Sequence, residues 1–570
     1  MAKKKNMANR SAAIVPDNNS STLSNALFVA GLLLIFGLMI YNIYHFKIFS
    51  DEAGHLHEAK VFGRNFFFDN EAAPFLFYAS EYFFMFLSGS ILGARFASVF
   101  YGMMTLIASY FLLPEYFSRS KKIKFVLLLG SLPYFIFFSK IAFSDIAITF
   151  FGFTGFLLLI RFMDTKKLKY IIASGIFLAL GILIKFAIIP FIFGLIFILI
   201  MYTLNIDLNS TNGFKSSLKN IYNNGIANAL GKMLRPEVII FIGIPFSIVL
   251  FIYQIDQQFP FPLSFSMVTL DQSANANQIS NFLVFKTGFI DSLLFHWKEI
   301  LISAVVVYGF MFFILAYFSK IKIEMFRNKY NIYCLIVILI SILAFISGAR
   351  FLSRYTLVLV PLVMFIIFNN KEGERLFNYY PLFTGLSIIT VVFMVTPTST
   401  FFLIGNIAGE YNVPIEPSLD AAKFVNGNTT IDDFVVVGDN APHSLYYAQT
   451  LGAYELEIEK PIEYNGKQYK SLVFQYLTPS NGVKYIIASK KDTQEMYLDY
   501  MAQKFYLEKV IKFNGEEYYY IFYIDQNLTS PNTPVIYLGD SYFSFPDSIG
   551  NMQNYYKHNI HRDLRPRFIK

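Results

Sequence analysis

The sequence predicts a polytopic α-helical membrane protein of about eleven spans, followed by a C-terminal α/β domain. Three observations carry this. The 570 residues are 55% hydrophobic, with a mean hydropathy of +0.47, which is too apolar for a soluble chain. Apolar runs near spanning length recur from Asn25 to Leu403. The basic residues between them collect in alternate connections, as in a chain threaded through a bilayer. The net charge of +8 is therefore a topology signal, and no nucleic-acid partner is expected. The single cysteine, Cys334, sits in an apolar run and rules out an internal disulfide.

Residues 1–24 are basic and rich in Ser and Asn, and are expected to be disordered and cytoplasmic. The first apolar run, Asn25–Phe46, is too long for a signal-peptide core and reads as a retained span. Further spans are expected at Gly93–Leu113, Phe125–Phe138, Ile146–Phe162, Tyr170–Ile184 and Ala187–Tyr202. Beyond these lie Val238–Tyr253, Leu301–Phe318, Ile332–Ile346, Thr356–Phe368 and Leu382–Leu403. Connections such as Arg119-Lys121-Lys122, Lys166-Lys167-Lys169 and Lys320-Lys322-Arg327-Lys329 mark the cytoplasmic side. The other side takes the loops of residues 47–91 and 254–297 and the turns Lys140–Asp145 and Gly348–Arg354. Residues 25–404 thus form the membrane domain, and an odd number of spans leaves residues 405–570 outside.

That C-terminal part is polar and alternates in pattern. Leu419–Phe424, His443–Thr450 and Thr493–Phe505 read as helices, and Phe434–Val437 and Val483–Ala488 as strands. Leu507–Phe513 and Tyr518–Ile524 form a hairpin across Asn514-Gly515.

Ionisable residues gather at the outer ends of several spans. Asp51 and Glu52 follow the first span directly. Adjacent carboxylates there are either solvated in a loop or line a site that removes a proton or holds a metal. On a helix starting at that point, Asp51, His55 and Glu58 share one face. They are candidates for a divalent metal, and an amphipathic helix lying in the interface fits the same spacing. Asp145 opens a span, where the helix dipole favours a carboxylate, and is also placed to line a site. Lys185 stands between two apolar runs, either reaching back to the interface or meeting a phosphate. Arg350 and Arg354 close another outer turn, and Arg95 opens the second span; guanidinium groups grip phosphate oxygens in pairs. Glycosyl transfer from a phosphate-linked donor uses this mixture. A carboxylate takes the acceptor proton, and cations hold the leaving phosphate as the anomeric carbon gains positive charge.

The ordered motifs resemble those of the polyprenyl-phosphate-dependent GT-C glycosyltransferases, which include protein O-mannosyltransferases and lipid A aminoarabinose transferases. The resemblance rests on Asp51-Glu52-Ala53, Ala73-Pro74-Phe75-Leu76-Phe77-Tyr78, Gly93-Ala94-Arg95-Phe96-Ala97-Ser98, Asp145, the Gly175–Lys185 span, and Arg354-Tyr355 with Pro361. It implies an active site on the outer face of a bacterial cytoplasmic membrane and inverting transfer from a polyprenyl-phosphate sugar to a lipid, glycan or protein acceptor. It also implies that Asp51 is the base or the carboxylate that orients the acceptor, Glu52 supports it, and Asp145 lines the same cavity. Lys185 and Arg354 are implied as phosphate ligands. Where the aminoarabinose transferases carry a Lys before a proline pair, this chain reads Glu71-Ala72-Ala73-Pro74. That removes one phosphate contact and counts against lipid A as substrate. A transporter or flippase of a lipid-linked or anionic solute is the competing reading; such proteins favour internal repeats and midplane charges, and this chain shows neither.

Overall fold

Prolines and a few local breaks set where the helices begin and end in this computed structural model. It describes residues 18–44, 75–206, 234–258, 328–347, 353–370, 377–393 and 415–429, the strands between 434 and 523, and some single positions including Glu52, His55, Leu56 and Ala59. Helix α1 runs Asn18–Ile40 and α2 runs Phe75–Ser88; a 3-10 turn, Ile91–Ala94, leads into α3, Arg95–Leu112. Helix α4, Arg119–Gly130, starts at Ser118, whose hydroxyl accepts the Lys121 N–H at 3.3 Å. The span expected over Phe125–Phe138 is two pieces, α4 and the short α5, Pro133–Phe138. Pro133 cannot donate to the preceding turn, and it holds Leu132 extended at φ −68 and ψ 128.

Helix α6, Asp145–Thr165, and α7, Leu168–Ile184, are joined through Lys166, which adopts the left-handed conformation at φ 58. Lys185 is extended, and after the 3-10 turn Phe186–Ile188 the chain continues in α8, Ile189–Thr203, with Pro190 in its first turn. Then come α9, Pro236–Gln258; α10, Lys329–Ser347; the 3-10 segment Ser353–Leu359; α11, Val360–Asn369; and α12, Tyr380–Phe393. The expected span Leu301–Phe318, most of the loop 254–297 and the end of Leu382–Leu403 lie outside the described residues. Among the described residues, Leu92–Leu112 and Asp145–Thr165 are long and apolar enough to cross a bilayer unaided, and six shorter apolar helices accompany them.

Helix α6 is the centre of the bundle: every residue from Asp145 to Ile160 is buried. It packs against α3, α7, α8 and the 3-10 segment Ser353–Leu359. Small residues let the backbones close, as in other helix bundles of membranes. A Cβ on Gly194 of α8 would lie 2.9 Å from the Val337 Cα of α10. The outer surface carries bare apolar side chains, among them Leu27 and Leu33 on α1 and Phe193 and Phe197 on α8, as lipid-facing helices do. Helix α2 is two-faced, with Phe77, Tyr78, Glu81 and Met85 buried and Phe83, Phe86 and Leu87 outward.

In the C-terminal part, α13, Ile415–Asn428, accompanies seven strands: β1 Phe434–Gly438, β2 Gly452–Leu456, β3 Ile458–Tyr464, β4 Lys467–Leu472, β5 Val483–Ser489, β6 Tyr506–Phe513 and β7 Glu516–Tyr523. The main sheet has the order β2-β1-β5-β7-β6, with β1 parallel to β2 and β5 and the β6–β7 hairpin antiparallel. Gly515, at φ 84, makes the turn of that hairpin. Ala421 and Val425 of α13 pack on Tyr485, Ile487, Tyr519 and Ile521. Strands β2, β3 and β4 add to the expected elements; the helices expected at His443–Thr450 and Thr493–Phe505 lie outside the described residues.

The α8–α10 contact gives a direct check. Gly194→Ala should destabilise the detergent-solubilised protein by about 1–3 kcal/mol through enforced separation of the two backbones. Gly243→Ala, where a Cβ meets nothing within 4 Å, should leave the melting temperature unchanged. Equal melting curves for the two variants would exclude the close approach.

Candidate functional site

The chain leaving α1 is tied to the rest of the bundle by one carboxylate. Arg95, the first residue of α3, donates from Nε to Glu52 Oε1 at 2.7 Å and from Nη2 to Oε2 at 2.8 Å. Its third nitrogen, Nη1, donates to the Ile43 carbonyl at 2.6 Å. Glu52 Oε1 also accepts the Ala142 N–H at 2.9 Å. Both side chains have 0% exposure. The fork geometry uses both carboxylate oxygens at once. Glu52 therefore joins three places: the end of α1, the start of α3 and the turn that leads into α6.

Lys140, in that same turn, donates to the Leu38 carbonyl at 3.2 Å and to the Tyr41 carbonyl. An ammonium there satisfies carbonyls left open at the C-terminal end of α1. Three residues beyond Ala142, Asp145 begins α6 and is almost wholly buried. Lys185 Nζ approaches Asp145 Oδ1 at 3.7 Å, across the break between α7 and α8. That separation is electrostatic contact, beyond hydrogen-bond range.

Aromatic rings close the space around the Glu52 segment. His55 lies 5.9 Å from Phe77, 5.7 Å from Tyr78 and 5.8 Å from Phe143, measured between ring centroids. Leu56 and Ala59 are buried with Glu52, one and two turns further along a single helical face. On α2, Ser80 donates to the Leu76 carbonyl at 2.8 Å and lies 2.7 Å from the Tyr101 hydroxyl of α3. One turn beyond Phe77 on α2's buried face, Glu81 has no exposure at all.

The structure thus brings Glu52, Arg95 and the turn before Asp145 together, and sets Lys185 beside Asp145. Arg95, expected among the phosphate ligands, is committed to Glu52 and a backbone carbonyl. Arg354 and Tyr355 stand on the 3-10 segment Ser353–Leu359, whose Val358 packs toward Gly152 of α6. Asp51, Glu58 and Arg350 lie outside the described residues. Among the described residues no group of three metal-ligating side chains is present. Sequence reasoning missed Glu81 and the bonding of Lys140. Glu81 is the single charged residue of Phe75–Ser88, which is the signal that could have found it.

Charges at the other end of the bundle are used up in structure. Arg161 donates to the carbonyls of Phe111, Leu112 and Leu113 and to Glu115 at 2.6 Å, closing the end of α3. The Tyr330 hydroxyl donates to Asp164, and the Lys166 ammonium sits 4.0 Å from the Tyr202 ring centre.

Comparison with known proteins gives a sequence match and a fold match. Residues 71–212 match the family model described as dolichyl-phosphate-mannose-protein mannosyltransferase. The fold is similar to that of ArnT from Cupriavidus metallidurans in the apo state, with a TM-score of 0.51 and 12% identity, covering 90% of this chain and 100% of that one. ArnT bound to undecaprenyl phosphate gives the same TM-score and identity, covering 88% and 98%. The archaeal oligosaccharyltransferase AglB from Archaeoglobus fulgidus, in complex with an inhibitory peptide and a dolichol-phosphate, is more distant, with a TM-score of 0.43, 13% identity and coverage of 92% and 77%. A search of curated protein sequences finds no match. Residues 71–212 thus match a mannosyltransferase family model and the fold of the chain is similar to that of ArnT, which bears out the resemblance carried by the ordered motifs.

Proposed function

We propose that the protein transfers a sugar from a polyprenyl-phosphate donor to a lipid, glycan or protein acceptor, with inversion at the anomeric carbon. The observation that carries this is the hydrogen bonding of Glu52 to Arg95 and to the Ala142 N–H. It anchors the neighbour of Asp51 in the turn that ends at Asp145. Two elements remote in sequence thereby present acidic groups in one region, with the Lys185 ammonium alongside. The family match and the undecaprenyl-phosphate complex of ArnT support a lipid-phosphate donor.

In this reading Asp51 accepts the proton of the acceptor hydroxyl. The acceptor oxygen forms its bond to the anomeric carbon as the bond from that carbon to the phosphate oxygen breaks. The electron pair leaves with the polyprenyl phosphate, whose charge Lys185 and Arg354 stabilise, with Arg350 and Tyr355 as further candidates for that role. Asp145 holds Lys185 in place. Glu52 and Arg95 act through position: they fix the strand of chain that carries Asp51. The distribution of basic residues supports a site, and residues 405–570, on the extracytoplasmic side, in this reading that of a bacterial cytoplasmic membrane. Should a divalent metal take part, His55, Asp51 and Glu58 are its candidate ligands.

Asp51→Asn should reduce transfer by at least about a hundredfold, the scale of a lost general base, with normal insertion in the membrane. Washed membranes supplied with a panel of polyprenyl-phosphate sugars test this, and undiminished transfer by the variant would refute the assignment. Arg354→Ala should raise the donor KM more than it lowers kcat, because it removes a contact made in the ground state as well as the transition state. An unchanged donor KM removes Arg354 from the phosphate site.

A further inference from the structure

Glu81 has no part in the transfer as described, and its surroundings are unusual for an acid. It is 0% exposed, and neither carboxyl oxygen has a hydrogen-bond partner among the described residues. Helix α2 packs against the 3-10 turn Ile91–Ala94, α3 and α7. The charged and titratable groups those elements bring are few. From α3 come Arg95 and Tyr101, while α7 has no titratable side chain between Ile171 and Ile184. From the segment after α1 comes Glu52, with His55 near Tyr78 on α2 itself. Glu52 and Glu81 repel each other, and Glu81 acts in the same way on Tyr101.

Among the described residues the cation bonded to these carboxyl groups is Arg95, and its Nε, Nη1 and Nη2 are already spent on Glu52 and Ile43. A second negative charge in this space would be buried without compensation, which is why such groups stay neutral. Burial first, and the charge of Glu52 second, hold the Glu81 carboxyl well above its ordinary value of 4.5.

We infer that Glu81 is a positioning residue of the transfer site: as a neutral acid it leaves Arg95 wholly to Glu52, and on ionising it competes for Arg95 and loosens the turn that carries Asp145. Two carboxyl groups in unlike environments then take unlike roles, one charged and one proton-bearing. The site accordingly has an upper pH limit set by a residue that touches no substrate. This rests on the proposed glycosyl transfer only where activity is measured.

The test uses the full chain in detergent, wild type against E81Q, which keeps shape and removes the proton. Because the folded protein holds this proton more tightly than the unfolded chain, its stabilising contribution is complete below 4.5 and is lost as pH rises toward the folded value. The wild-type melting temperature should therefore fall relative to that of E81Q as the pH is raised above 4.5, by several degrees. Parallel curves overturn the inference. Infrared difference spectra at neutral pH should show a protonated-carboxyl band in wild type that E81Q lacks; its absence also overturns the inference. If E81Q folds poorly, E81L, of similar size and without charge, should reproduce the flat pH response, and a wild-type slope in E81L refutes the idea. Where transfer is measurable, E81Q should move its alkaline limb to higher pH, and an unmoved limb counts against the positioning role. Loss of transfer with every donor tried, in wild type as well, would reject the proposed function and leave the stability and infrared results to decide Glu81.

Discussion

A guanidinium and a carboxylate with no solvent contact hold the chain between α1 and α3 in place. Taking both ions out of water costs several kcal/mol each, of order, and their attraction returns that only when geometry is good and remaining valences are filled. Here they are filled: Ile43 takes the third arginine nitrogen and Ala142 the spare lone pair of Glu52. Such a pair adds little net stability over well-packed apolar side chains, but losing one partner strands a buried charge, at roughly 3–5 kcal/mol. Its value lies in fixing one arrangement. Because the partners come from three chain segments, that arrangement is the relative position of the loop after α1, the head of α3 and the head of α6.

The two ends of the bundle use charge differently. At one end the donors of Arg161 meet helix-end carbonyls and an exposed glutamate, a pattern that closes a helix. At the Asp145 end, an ammonium and a carboxylate stand at 3.7 Å, too far for a hydrogen bond and close enough for strong attraction in a poorly solvated space.

Much of this was legible in the sequence and some was not, for definite reasons. The apolar runs gave most helices because length and hydropathy are local properties; the hairpin at Gly515 was legible from its Asn-Gly turn. The division at Pro133 was also local, yet an apolar run on both sides hid it. Nothing in composition distinguishes α6, buried on every side, from α1, which faces outward, since a lipid-facing helix and a core helix of a membrane bundle are equally apolar. Strands β2–β4 carry mixed polar residues and no clear period, so pattern could not reveal them. Glu52, Arg95, Asp145 and Lys185 were each visible as charges at span ends. Their pairing was not, because Glu52 and Arg95 meet across 43 positions and each had a local explanation that satisfied it alone.

If the protein acts as proposed, the same reasoning explains why so costly an arrangement is tolerated beside the reaction centre. A base that must take a proton from a hydroxyl needs a fixed distance to it, and a misplacement of about 1 Å costs on the order of a hundredfold in rate. Loops at a bilayer surface move, and van der Waals packing alone gives them many near-equal positions. A bidentate pair has one geometry, and burying it removes water as a competitor for either partner. The exchange is stability for definition: the segment following α1 gives up the freedom of a surface loop and gains a position defined by hydrogen bonds of 2.6–2.9 Å to two other elements and its own α1 end. A neutral acid next to that pair fits the same logic, since it adds volume and polarity without adding a rival charge.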